Sequence, residues 1–313
     1  MKKTYKNILV TGCAGFIGSN LSQKLIKEGY RVIGIDNLST GHRYNIHKKI
    51  IFFKGDCNDK KILSKVAKFK LKMIYHMAGQ SSGEKSFYEP EQNFKDNLIS
   101  TFNILNLADK VKCNHVVYAS SMSVYGNLSK VKASEKNICK PLSYYGRSKL
   151  ESEKIIKYYY NLGINFTTLR FFSVYGFGQY LGRLDQGMIR IFISQILKNK
   201  RLIIKGKLTR IRDFIYIEDV VNYLFEITKN KNFKNKIVNI GTGKGTSVSA
   251  LVKLLRKKLK INFKFKEVSP TPLDQDKIYA DTKLLKKISN YKIKYSLEKG
   301  IEKYITYLRY SKW

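Results

Sequence analysis

The chain has 313 residues, 43% of them hydrophobic and 27% charged, and a formal net charge of +37 at pH 7. That length can bury a large core, as one domain or one domain plus a smaller lobe, and no apolar stretch reaches the roughly 18 residues needed to cross a bilayer. The basic residues are 49 Lys and only 11 Arg, spread through the whole sequence. Nucleic-acid surfaces draw on forked Arg contacts, so specific nucleic-acid binding is not expected, although this charge attracts anions, nucleotides included, at low salt.

In chain order, Lys2-Lys3 precede an apolar run too short for a secretory signal, and a cytoplasmic location is expected. The run Ile8-Leu9-Val10 leads into Thr-Gly-Cys-Ala-Gly-Phe-Ile-Gly at 11–18, then an amphipathic helix with Leu21, Leu25 and Ile26 at helical spacing. Strand, glycine turn and helix in that order cradle a dinucleotide pyrophosphate. Gly12 permits the tight turn, Gly15 lets the backbone approach the phosphates, and Gly18 lets the helix pack closely. A second strand, 31–36, ends in Asp36, whose carboxylate suits ribose hydroxyls and repels a 2′-phosphate, which favours NAD over NADP.

Further strand-like runs at 50–54, 73–78, 115–120, 166–171 and 236–240 alternate with helical stretches. This predicts an α/β fold of Rossmann type, a doubly wound parallel sheet with helices on both faces. Residues 1–175 form the dinucleotide-binding domain, with a segment near 217–242 returning to it. Residues 176–216 and 243–313 form a smaller, mixed α/β substrate lobe. Asp56 follows the third strand and faces either the adenine side of a dinucleotide or its own turn. Ala78 and Gly79 end the fourth, where small residues leave room for a ribose or nicotinamide. His76 is given no chemistry. The four cysteines, Cys13, Cys57, Cys113 and Cys139, are too scattered for a disulfide frame or a zinc site and read as reduced thiols. No metal is expected.

Tyr145 and Lys149 stand four apart at the head of a predicted helix and share one face. A phenol titrates near pKa ~10, and lowering it by about three units takes roughly 4 kcal/mol of differential stabilisation. Lys149, together with the positive charge of an oxidised nicotinamide, can supply that and make Tyr145 a general base. A solvated helical pair is the plainer alternative. Strand 115–119 delivers Ser120-Ser121 at its C-terminal end, the edge where open α/β sheets build sites. Ser121, if not simply a turn cap, can bond the reacting sugar or alcohol oxygen and relay its proton to Tyr145.

These motifs resemble the extended short-chain dehydrogenase/reductase family, in particular its NAD-dependent nucleotide-sugar epimerases and dehydratases. The resemblance also rests on Pro141-x-Ser-x-Tyr-Gly-x-Ser-Lys149, Leu169-Arg170-Phe-Phe-Ser-Val-Tyr-Gly176, Arg212-Asp-Phe-Ile-Tyr-Ile-Glu-Asp-Val220 and Asn239-Ile-Gly-Thr-Gly243. It implies a catalytic set of Ser121, Tyr145 and Lys149. It also implies NAD contacts from Gly12, Gly15, Phe16, Ile17, Gly18, Asp36, Asn37, Asp56, Cys57, Ala78, Gly79, Asn97, Tyr145 and Lys149. The substrate, a nucleotide-diphosphate sugar, would meet Ser121, Ser123, Ser173, Arg212 and Asp274. Arg212 would clamp the diphosphate with its planar fork, the alternative being an ion pair with Asp213 or Asp219. The chemistry implied is redox-neutral 4-epimerisation through a transient 4-keto sugar. The alternatives are epimerisation at another carbon or of an N-acetylhexosamine, ketosugar reduction, and a catalytically silent nucleotide- or RNA-binding protein. A homodimer is implied through helices near 93–110 and 145–160, although Phe94, Leu98, Phe102 and Leu105 suit packing on the sheet equally well.

The sequence departs from the family pattern at four places. Met122 and Ser123 stand where sugar dehydratases carry an acid pair, which disfavours 4,6-dehydration. Ser173 replaces a diphosphate-contacting Asn, and Thr271-Pro-Leu-Asp274 lacks the Arg of an Arg-Pro-Gly-Asp run. Ile278 occupies the place of a bulky aromatic that guards the hexose pocket.

Overall fold

The computed structural model describes residues 6–128, 131–179, 182, 187–272 and 274–310. Lys2-Lys3 and Leu273 lie outside the described residues. The apolar runs become seven strands: β1 (Asn7–Thr11), β2 (Arg31–Asp36), β3 (Ile51–Lys54), β4 (Leu71–His76), β5 (His115–Ser121), β6 (Asn165–Phe171) and β7 (Lys236–Ile240). They pair in the order β7-β6-β5-β4-β1-β2-β3, and every pairing is parallel. A parallel sheet is covered on both faces, so its strands read as unbroken apolar runs. In β1, Ile8 and Val10 enter one buried cluster and Leu9 the cluster on the opposite face.

The first face is covered by α1 (Phe16–Lys27), which contributes Leu21 and Leu25. The second is covered by α2 (Ser100–Lys110) through Ile104 and Leu105, and by α3 (Tyr144–Asn161) through Ile156 and Tyr159. After β6 the chain leaves the sheet and enters a lobe containing α4 (Met188–Asn199). Next comes α5 (Ile217–Ile227), whose Val220, Tyr223 and Leu224 turn back onto the first face, and then β7. Two further helices, α6 (Val248–Leu259) and α7 (Leu297–Tyr310), build the lobe core with α4, through Ile193, Leu251, Leu255, Ile301 and Tyr304. One departure from the sequence reading concerns 243–313, assigned whole to the lobe. Leu285 and Ile288 of the short helix Lys283–Ile288 pack into the main-sheet cluster instead, with Tyr291 and Ile293 beside them.

Asp213 joins these parts. It is fully buried and accepts from the backbone N–H groups of Thr242 and Gly243, both at 2.9 Å, and of Ala280 at 3.1 Å. A buried amide left unpaired costs about 1–3 kcal/mol; that of Ala280 is buried and those of Thr242 and Gly243 are partly so. Asp213→Ala is therefore expected to lower the unfolding free energy by about 3 kcal/mol or more, read as a shift in the urea midpoint at constant slope. A change below about 1 kcal/mol would contradict this role.

Candidate active site

The C-terminal ends of the central strands open into a cleft of about 1020 Å³. Its walls bring together every site residue expected from the sequence except Asn97. At one end lies the glycine turn. Gly12 has φ +68°, and a Cβ there would fall 2.8 Å from the Ala78 nitrogen; a Cβ on Gly18 would fall 2.1 Å from the Gly12 carbonyl oxygen. Gly18 thus allows α1 to pack on the turn itself, more than on the strand. The N-cap of α1 is Gly15, which supplies no side-chain acceptor, so the first-turn amides and the positive end of the helix dipole are free for an anion. Asp36 accepts from the N–H of Ala14 at 2.9 Å and of Leu38 at 2.8 Å, tying the turn to the end of β2. Burial raises its pKa, the backbone bonds opposing. Asn37 donates to Asp56 at 2.8 Å, and Asp56 also caps its own turn through Asn58 N–H. Cys57 is buried beside them, one of four free thiols. This cradle fits a dinucleotide: side chains are excluded where the phosphates would approach, amides point in, and a carboxylate stands at the ribose position.

Asn97 is not among the residues that line the cleft. Its amide nitrogen donates to Asn93 at 2.9 Å and to Ser148 at 3.2 Å, so α3 holds it one layer behind the cleft. The Gly79 backbone lies against it: a Cβ on Gly79 would fall 2.4 Å from Asn97 Oδ1. His76 bonds the hydroxyls of Thr11 at 2.8 Å and Thr101 at 3.2 Å. Burial drives its pKa down to about 3, so it stays neutral, a structural group.

Ser121 ends β5, and Tyr145 and Lys149 lie in the first two turns of α3, all three buried. Ser143 caps that helix through the N–H of Gly146 at 3.1 Å, and the Tyr145 N–H is held by Ser86 at 3.1 Å. The Ser121 hydroxyl accepts from the Ser123 N–H at 3.1 Å and donates to the Ser123 hydroxyl at 3.2 Å, as the cap reading expects, while it lines the same cleft as Tyr145. Lys149 donates to the Ala119 carbonyl at 2.9 Å, with its ammonium 5.0 Å from the Tyr118 ring centroid and 5.9 Å from that of Tyr145. Burial lowers the Lys149 pKa to about 7, Glu153 resisting the fall. Burial also raises that of Tyr145, with Ser121 opposing. Among the chain's own groups, burial thus favours the protonated phenol. The ammonium is turned toward a carbonyl and is itself near neutrality.

At the far end, Arg212 pairs with Asp274 at 2.9 Å, not with Asp213 or Asp219, which are engaged by backbone amides and tyrosine or threonine hydroxyls. Arg210, which the sequence reading passed over, meets the other oxygen of Asp274 at 2.6 Å. Its signal was present: residues i and i+2 of an extended segment face the same way. Ile278 is 1% exposed and packs with Val124, Tyr125 and Phe172 in a small core behind the cleft, so it does not guard the hexose pocket. Ser123 and Ser173 line the cleft between the two ends.

A glycine-turn parallel sheet with Ser, Tyr and Lys at its carboxyl edge defines an extended short-chain dehydrogenase/reductase. More narrowly, the sequence pattern of the NAD dependent epimerase/dehydratase family matches residues 8–241, and the chain belongs to that family. A Methanocaldococcus jannaschii protein with the provisional name UDP-glucose 4-epimerase is 37% identical over 306 residues, covering 96% of this chain and 98% of its own. The UDP-glucose 4-epimerase of Thermotoga maritima, solved with UDP-glucose, superposes with a TM-score of 0.93 at 32% identity, over 97% of this chain and 98% of that one. The Thermus thermophilus UDP-glucose 4-epimerase complex with NAD gives 0.90 at 27% identity, over 97% and 99%.

Two outcomes follow. Gly18→Ala forces a side chain against the backbone of Gly12 and is expected to weaken NAD binding at least about tenfold by calorimetry, each tenfold being about 1.4 kcal/mol; wild-type affinity would contradict the packing described. Lys149 titrates near 7 in the fold and near 10.4 when unfolded. Between these values the unfolded chain binds more protons, so stability rises with pH from about 7, until the buried thiols oppose it above about 8.5. Lys149→Met is expected to lose this rise in urea titrations across that interval, and equal slopes in the two proteins would refute it.

Proposed function

We propose that this protein interconverts a UDP-hexose with its 4-epimer through a transient 4-keto sugar, with Tyr145 as the acid–base group. The observation that carries the reading is a single cleft whose walls hold Ser121, Tyr145 and Lys149 together with the glycine turn and an arginine pair. Further support comes from Met122 and Ser123, which offer no acid pair for dehydration, and from the epimerases this chain resembles. Ser121 orients the sugar 4-hydroxyl and passes its proton to Tyr145; the same path returns it when the keto sugar, turned over in the site, is reduced on its other face. Lys149, held by the Ala119 carbonyl, buffers the charge of that exchange. When bound, NAD supplies the hydride acceptor and donor, and its cationic ring supplies the field that lowers the phenol pKa. The arginine end fixes the nucleotide diphosphate, so that only the hexose is free to turn. The reading includes a homodimer through α2 and α3, supported by the exposed Ile99, Phe102 and Tyr158.

Incubation with a panel of UDP-, dTDP-, GDP- and CDP-sugars, without added cofactor, is expected to give an epimer mixture by NMR for a UDP-hexose. A ketosugar product, or no turnover across the panel, would overturn the proposal. Tyr145→Phe is expected to retain NAD and lose about 10²–10⁴-fold in turnover; undiminished turnover would remove Tyr145 from this role.

A further inference from the structure

At the arginine end of the cleft the guanidiniums of Arg210 and Arg212 share the carboxylate of Asp274, and their free donors are distributed unequally. Arg212 uses Nη1 on the carbonyls of Ile211 at 2.9 Å and Asp276 at 3.0 Å, and Nη2 on Asp274 Oδ1 at 2.9 Å and the Gln275 carbonyl at 2.5 Å. A guanidinium carries two N–H bonds on each terminal nitrogen and one on Nε. All four terminal hydrogens of Arg212 are therefore committed to the protein, and its fork cannot also grip two phosphate oxygens.

Arg210 is differently placed. Its Nε donates to the Lys207 carbonyl at 3.3 Å and its Nη1 to Asp274 Oδ2 at 2.6 Å, which leaves one Nη1 hydrogen and both Nη2 hydrogens. The group lies in the cleft wall and is held rigidly there. A Cβ on Gly206, which has φ +84°, would fall 3.2 Å from Arg210 Nε and 3.3 Å from Cζ. The guanidinium thus rests on the bare face of a glycine, where any side chain would push it away. Asp274 is shared by the two guanidiniums, Asp276 also acts on Arg212, and Lys205 is paired with Glu84 at 2.6 Å. The spare donors at this end lie on Arg210.

We infer that Arg210, rather than Arg212, is the main grip on the substrate's diphosphate, while Arg212 fixes Asp274 and the Gln275–Asp276 backbone against which Arg210 is aligned. This deepens the function proposed above and rests on it. Forked contacts to phosphate are the strong, charge-assisted kind.

The test is calorimetric binding of UDP and of uridine to the NAD-containing protein. Arg210→Met is expected to weaken UDP about 30-fold while uridine affinity and NAD content stay at wild-type values. UDP binding as tight as wild type would overturn the inference, as would an equal loss for UDP and uridine. If Arg210→Met does not hold NAD, Arg210→Lys is read in its place. It keeps the charge but not the fork and is expected to weaken UDP about fivefold, with unchanged affinity overturning the inference. A wild-type protein that binds neither ligand would sink the functional proposal itself, and this inference with it.

Discussion

The relative placement of the three candidate catalytic side chains depends on one buried carboxylate, Glu153. It lies one turn beyond Lys149 on α3, accepts from the Ser120 hydroxyl at 2.5 Å, and is held by Arg170 through Nε at 3.0 Å and Nη2 at 2.7 Å. Ser120 and Arg170 are register partners on the adjacent strands β5 and β6. A single group therefore staples the helix that carries Tyr145 and Lys149 to the strand end that carries Ser121. Both ions are almost wholly buried, at 4% and 3% exposure. Removing either one leaves a bare charge in the core, which typically costs about 3–5 kcal/mol. Arg170 also lies 4.7 Å from the Tyr125 ring centroid, so the staple continues into the turn that follows Ser121.

The cleft has two electrostatically distinct ends and a middle of buried side chains. At the glycine turn the attraction for phosphate comes from backbone amides, with the Asp36 carboxylate beside them. At the arginine end it comes from formal charge. Between them, burial raises the Tyr145 phenol and lowers the Lys149 ammonium, which favours the uncharged form of each. A site of this kind has no strong base of its own; it acquires one when a cation is brought beside it.

Local patterns told most of the fold. The seven strands are largely apolar runs, and the turn at 11–18 could be read from glycine spacing together with the strand before it, the helix after it and Asp36. Features set by distant residues left no such trace. Arg212 and Asp274 are 62 positions apart, and nothing near either predicts that they meet. Asn97 looked like a cleft residue by its place in the chain, yet Ser148 on another helix draws its amide away. Ile278 shows the same limit: the N–H of Ile278 bonds the Ile211 carbonyl, a contact between the two distant segments of the lobe. The helix Lys283–Ile288 reads as ordinary lobe until its apolar face is seen to complete the main sheet's cover.

The last strand, β7, is laid down beside β6 only after the chain has passed through α4 and α5. Its partner ends at Phe171, and β7 begins at Lys236. During synthesis the edge of β6 must stand open while the intervening segment emerges, because no earlier strand can pair there. Closure of that edge is a long-range event with a large loop entropy. The order of the strands in space thus implies an order in time: the dinucleotide half can assemble first, and the sheet is sealed late, once the chain has made its excursion and come home.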